Sequence, residues 1–515
     1  MSILATWALF EGQDLRGFLP ADEPSRGAQV DAGTELRIRR FCGDCHALPR
    51  PDSLPRDAWH EGVSRGYEFY ARSGRRDLDP PTFIQTLTYY RARAPRHLEF
   101  PPPPAVAPVP PVPFRVEQLS FVPRADSVAP GIAFARWSRT SPDTPPALLA
   151  CDMRRGTLWS VNLGSPERTA TSLAQLHNPC HVASCDLDAD GQLDLIVADL
   201  GSYFPFDHSL GRVVWLHRRP GHPGYETTTV AADLGRIADV QPADVDGDGN
   251  LDLIVAEFGH DRTGGIHLLR QRRAADGAIA FERRRLDPRP GPIHIPVLDI
   301  NRDGRPDFLA LVSQEREQID LFVNRGGGQF TRQLIWAAPD LTFASSGIDV
   351  VDLDRDGDSD IVLTNGDAFD NSYVSPTHGV RWLEQQDNSR FVCHSITDLP
   401  GAYCARPGDV DGDGDLDLVV GVWLPPQIRP ENVARDKLAS LVYLEKAASG
   451  QFIRHALETG DPSHTTVELA DFDGDGDLDC AVGRHVLSGR VRHVPGVAHS
   501  ATIWWNQTAP AASAR

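Results

Sequence analysis

The chain has 515 residues, a formal charge of −20, 42 prolines and 44 glycines. That length supports a large core and more than one domain. The acidic balance, with no basic stripe interleaved with aromatics, argues against nucleic acid as a partner. No run reaches the ~18 apolar residues of a spanning helix.

The first ten residues, MSILATWALF, are apolar but lack a basic leader and a small-residue cleavage site. They read either as the tail of a signal peptide or membrane anchor whose start lies upstream, or as a buried segment. Residues 1–34 are taken as a leader. A short helix is expected over Ala32–Arg40, and it runs into Cys42-Gly43-Asp44-Cys45-His46. C-x-x-C-H is the attachment signature of c-type haem. Two thiols one turn apart bond the vinyl groups, and the histidine that follows reaches the iron. A disulfide, a redox dithiol and half of a zinc site are the other uses of such a pair. A dithiol wants a βαβ context, and zinc wants two more close ligands. A second helix is expected over Pro55–Ala71, with Trp59, Val63, Tyr67 and Tyr70 at helical spacing. A third is expected over Pro80–Arg93, with Asp79 as its N-cap and Pro80 and Pro81 in its first turn.

Three short helices with C-x-x-C-H after the first resemble a small class I-like cytochrome c, over about residues 35–98. The resemblance implies one covalent haem c on Cys42, Cys45 and His46. It departs from the pattern at the second axial ligand, because the only methionines are Met1 and Met153. The iron is then five-coordinate or bound by His60 or His97, of which His60, beside the aromatic stripe, is the better candidate. Residues 99–113, with the run FPPPPAVAPVPPVP, read as an extended, semi-rigid polyproline linker.

Beyond the linker one nine-residue phrase recurs six times: Asp-x-Asp/Asn-x-Asp-Gly-x-x-Asp followed by an apolar run. The copies begin at Asp186, Asp244, Asp299, Asp352, Asp409 and Asp471, 58, 55, 53, 57 and 62 residues apart. Spacing of this kind marks a repeat fold. Positions 1, 3, 5 and 9 offer oxygens. They are Asp186, Asp188, Asp190 and Asp194; Asp244, Asp246, Asp248 and Asp252; Asp299, Asn301, Asp303 and Asp307; Asp352, Asp354, Asp356 and Asp360; Asp409, Asp411, Asp413 and Asp417; Asp471, Asp473, Asp475 and Asp479. Calcium takes six to eight oxygen ligands, and the glycine at position 6 allows the sharp turn. An EF-hand opens alike but ends in Glu at position 12 between helices. Here strand-like runs follow at once (LIVAD, LIVAE, FLAL, IVLT, LVVG, CAVG), so each loop closes a β-hairpin. Six divalent cations, at two charges each, would offset 12 of the 20 excess negative charges.

These repeats resemble the FG-GAP/VCBS repeats of integrin α-like β-propellers, over residues 114–508. The resemblance implies a mainly β fold, a propeller with a calcium loop between neighbouring strands of a blade and up to six Ca²⁺. After each loop come a strand, a turn, a second strand and a third opened by an aromatic residue. The last repeat stops after ATIWWNQT, and the strand starting at Phe114 has the missing pattern, so it is expected to close the ring. Residues 132–175 have four strand-like runs and no acidic loop. With them the propeller has seven blades, and residues 509–515 form a tail.

Cys180–Cys185 and Cys393–Cys404 are either disulfides or buried thiols. Five and three residues ahead of the loops stand His181, Asp239 and His294, and Gln241, Asp349, Arg406 and Glu468. They line the propeller axis, either as a ligand or acid–base site or as a water-filled channel. The stretches 201–210, 365–378 and 423–436 are longer than hairpin turns and suit recognition. Nucleophile-elbow, phosphate-loop and dinucleotide motifs are absent from the sequence. The expectation is an exported protein, periplasmic or at the cell surface, that transfers electrons or couples redox state to binding a protein partner or extracellular ligand. An oxidoreductase feeding its own haem and a non-redox calcium-dependent adhesion module are the alternatives.

Overall fold

A computed structural model describes residues 30–44, 48–100, 109–122, 128–141, 144–219, 221–222, 224–259, 262–314, 316–339, 341–369, 372–386, 390–487 and 499–508. The chain divides into two units. One holds the described residues 30–44 and 50–97, the other residues 48–49 and 98–508. The expected leader over residues 1–34, the body of the linker and the tail fall mostly or wholly outside the described residues.

The first unit is three helices: α1 (Ala32–Cys42), α2 (Trp59–Ser73) and α3 (Phe83–Arg93). Asp31 caps α1, accepting from Thr34 N at 3.0 Å. The third helix starts three residues later than its prolines suggest. Thr82 is its cap, in a reciprocal box with Gln85, and the expected cap Asp79 instead pairs with Arg37 at 3.4 Å. A residue before proline is biased against helical backbone, so a cap that donates and accepts prevails at Thr82. Ile38, Trp59, Val63, Leu87, Tyr89, Tyr90 and Ala94 form the core, with Trp59 stacked on Tyr90 at 4.0 Å between centroids.

The second unit is a seven-bladed β-propeller. Seven antiparallel sheets follow one another along the chain, at 132–175, 179–234, 237–287, 292–337, 345–398, 402–459 and 464–506. The last blade borrows its fourth strand from the start of the unit. Phe114–Leu119 pairs with Ala501–Asn506 in the register Phe114↔Asn506 to Leu119↔Ala501. This closure removes two free sheet edges.

The apolar runs after the acidic loops become the second strands of their blades, buried at every position. They are apolar on both faces because each is sandwiched. In blade two, Leu195 and Val197 pack on blade one, while Ile196 and Ala198 pack on blade three. Seven such clusters, one per blade boundary, make up the core. The fourth strands form the rim, and in Tyr225–Leu234 exposure is common because one face has no neighbour.

The cysteine pairs are unbridged. A bulge at Cys180 turns it to the blade-three face that Cys185 also meets, and the two are too far apart along one strand to bond. Cys393 is on the fourth strand of blade five and Cys404 on the first strand of blade six, at opposite radial ends.

Candidate functional site

Each acidic loop joins the first and second strands of blades two to seven, and the six share one hydrogen-bond pattern. The position-1 carboxylate accepts the position-6 glycine N–H at 2.8–3.1 Å in every loop. The position-5 carboxylate accepts the position-7 N–H at 2.8–3.2 Å.

Two backbone positions are left-handed. Glycine at position 6 has φ from 83° to 100°, and position 4 (Ala189, Gly247, Arg302, Arg355, Gly412, Gly474) has φ from 57° to 84°. Where position 4 carries a side chain (Ala189, Arg302, Arg355) φ is 57–63°, near the left-handed well, whereas position 6 lies beyond it. Gly414→Ala, at φ 100°, is therefore expected to cost about 1–3 kcal/mol. Gly412→Ala, at φ 76°, should cost less, about 1 kcal/mol. Urea midpoints compare the two, and equal losses would refute the distinction.

The position-9 aspartates have a second role. All six are at most 1% exposed, and one oxygen of each accepts a backbone N–H from the third strand at 2.7–2.8 Å. In four loops the other oxygen accepts the position-2 N–H. They stitch the loop to the blade as well as flanking it.

Not every loop gathers its carboxylates equally. Ligand atoms of Asp244, Asp246 and Asp248 lie within 4.8 Å of one another, as do those of Asp352, Asp354 and Asp356. In the last two loops the converging sets are Asp409, Asp411 and Asp417, and Asp471, Asp473 and Asp479. In the first loop Asp188 and Asp190 are joined by His217, whose Nε2 is 2.8 Å from Asp188. The third loop, with Asn301 at position 3, gives no such group among the described residues. Asp352 Oδ1 and Asp409 Oδ1 are buried without a hydrogen-bond partner among the described residues. Asp252 Oδ2, Asp307 Oδ2 and both oxygens of Asp477 are orphaned in the same way in the second, third and sixth loops.

Charge crowding shows in the acidities. Burial, followed by neighbouring carboxylates, pushes Asp479 up to about 7 and Asp477 up to about 6. Burial also lifts Asp194, Asp252 and Asp417 to about 6. Crowding like charges in one loop carries this cost, which a bound cation would relieve.

The axial residues meet as the repeat spacing implies. His181 Nδ1 is 3.2 Å from Asp239, which also accepts from Gln241 at 2.9 Å. Arg406 donates to Asp349 at 2.6 Å and lies 3.8 Å from Glu468. Burial lowers the basicity of His181 and His294 and raises the Glu468 pKa. Arg406, Asp349 and Glu468 thus pair their charges across blades. The long connections join second to third strands, on the face opposite the acidic loops. There Tyr203 stacks on His485 at 5.6 Å, and Trp423 reaches His485 and Phe369. Phe204 and Phe206 are exposed.

Of the haem candidates, Cys45 and His46 lie outside the described residues. Cys42 ends α1 against the helical core, and burial pushes its thiol up to about 11. The buried Tyr90 hydroxyl lies beside it, within hydrogen-bonding reach of the thiol. His60 is exposed on α2, one residue round from the buried stripe of Trp59 and Val63, with its ring edge-on to Phe83 at 5.4 Å.

With this geometry in view, a profile of the FG-GAP-like repeat matches residues 186–255, 244–310 and 299–363. The protein is a seven-bladed β-propeller that carries FG-GAP-like repeats over residues 186–363. The two loops beyond the matched span, at 409–417 and 471–479, repeat the same spacing and hydrogen bonds. A search of curated proteins finds no match.

Proposed function

We propose that the propeller is a calcium-loaded scaffold that presents its long loops to a protein partner or extracellular ligand, and that a c-type haem on the helical unit makes it an exported electron carrier. The observation that supports cation binding is the buried, unpartnered carboxylate oxygen of Asp352 and of Asp409 inside a loop of converging aspartates. The carboxylates at positions 1, 3 and 5 and the carbonyl at position 7 supply hard oxygen ligands, which suits calcium over softer metals. The bound ion neutralises the loop and fixes the turn between first and second strands.

The haem reading rests on Cys42-Gly43-Asp44-Cys45-His46. The described part of that motif fits: Cys42 sits against an apolar and aromatic wall, which suits the edge of a porphyrin. A bound haem supplies one-electron chemistry. The chain's own contribution is a dry wall of Trp59, Tyr67 and Tyr90, and His60 as a candidate axial ligand.

A pyridine haemochrome spectrum on protein matured in a periplasm with attachment machinery tests this reading. The expected result is a c-type α-band with haem that survives denaturation. No covalent haem would refute the electron-carrier part and leave a calcium propeller for binding. Turnover with an artificial electron acceptor would replace the carrier by an oxidoreductase.

A further inference from the structure

We infer that the six loops are not equivalent cation sites: Arg270 in the second and Arg305 in the third hold their carboxylates in place of a metal, closing those two loops to calcium. The inference rests on the calcium reading above and concerns which loops take the ion.

The repeat supplies its own comparison. In each blade the third-strand residue just past the register partner of the second strand lies beside the loop. Those residues are His217, Arg270, Val323, Glu384, Glu445 and Trp505. Only in the second loop is this residue a guanidinium, and Arg270 contacts Asp246, whose side chain is 1% exposed. In the third loop the cation comes from position 7. Arg305 contacts Asp303, and its Nε donates to the Asn324 carbonyl at 3.1 Å, which fixes its direction. The same loop has Asn301 in place of an aspartate, so it has lost one negative charge and gained a positive one.

A guanidinium does not deprotonate in proteins. A dication entering either loop must therefore displace a charged group from the carboxylate it contacts. The fourth and fifth loops are built the opposite way. Glu384 and Glu445 add a carboxylate beside the loop, and each is held by a histidine of the fourth strand, His394 at 2.7 Å and His455 at 2.8 Å. The first loop has an imidazole, His217, and not a guanidinium, beside Asp188. The sixth carries five aspartates, Asp471 to Asp479 at alternate positions. Four loops thus await a cation, while blades three and four hold theirs closed without one.

Terbium, a luminescent and strongly scattering substitute for calcium, locates the sites. Crystals of the full chain, stripped with chelator and soaked in terbium, should show anomalous density in the first, fourth, fifth and sixth loops and none in the second and third. Density in the second or third loop would overturn the inference and leave calcium binding intact. No density in any loop would overturn calcium binding itself, so the two failures are distinct. Arg270→Ser and Arg305→Asn, the latter restoring the Asn that the second loop carries at position 7, should each add a terbium equivalent in a luminescence titration. An unchanged equivalent count in folded variants would show that these side chains do not close the loops.

Discussion

Chelation should lower the melting temperature of the propeller by roughly 10 °C or more. A site held at 100 times its dissociation constant adds about 2.7 kcal/mol to the folded state. Four sites then amount to on the order of 10 kcal/mol, and melting temperatures move by a degree or more per kcal/mol in domains of this size. The carboxylates sharpen the expectation. Asp479, ordinarily near 3.8, is pushed up to about 7 by burial and its aspartate neighbours. A folded pKa above the unfolded one means the folded state holds the extra proton, so the relief it gives is complete below about 4 and lost as pH rises through about 7. The cation-free protein should therefore gain stability as pH falls from 7.5 to 5.5, and the effect of chelator should shrink with it. Scanning fluorimetry with EGTA and calcium add-back at the two pH values measures both. A melting curve indifferent to EGTA at pH 7.5 would sink the multi-site calcium reading.

The repeat itself was legible because it is local. Each Asp-Gly loop and the apolar run after it sit within some fifteen residues, and the buried second strands follow from the same phrase. Closure by Phe114–Leu119 was legible because the last repeat lacks a strand whose pattern appears at the start. What the sequence hides depends on pairing at a distance. Arg270 lies 24 residues from Asp246, and nothing in the local pattern shows that the third strand carries its guanidinium onto that carboxylate. The dual use of the position-9 aspartates depends on N–H groups such as Lys446 N, reached only once the third strand is laid down. Position 4 is hidden for another reason. Its left-handed backbone is met by alanine and arginine as well as glycine, so composition carries no signal. On the helical unit, the prolines at 80 and 81 drew the helix start forward, while the cap that forms is the reciprocal pair Thr82–Gln85.

Trp505→Ala should cost about 3–5 kcal/mol, the largest single-residue loss expected in the chain. Trp505 is completely buried on the third strand of blade seven, where the borrowed strand joins. It packs in one cluster with Ile132, Leu148 and Val161 of blade one and Leu119 of the closing strand. Its indole N–H donates to Glu117 at 2.8 Å, on the closing strand itself. Arg115 and Arg168 lie over its ring, at 5.2 and 4.4 Å from the centroid. Truncation therefore opens a cavity at the one blade boundary where two distant ends of the chain meet, and removes a bond that holds the closing strand. Val323, the corresponding residue of blade four, lies at a boundary that the chain crosses continuously. Val323→Ala should cost less and leave the ring shut. Urea melts give the two losses, and limited proteolysis between residues 114 and 131 reports whether the closing strand has come away. Equal losses, with no new cleavage in the Trp505→Ala protein, would mean that closure is carried by the strand's backbone pairing alone.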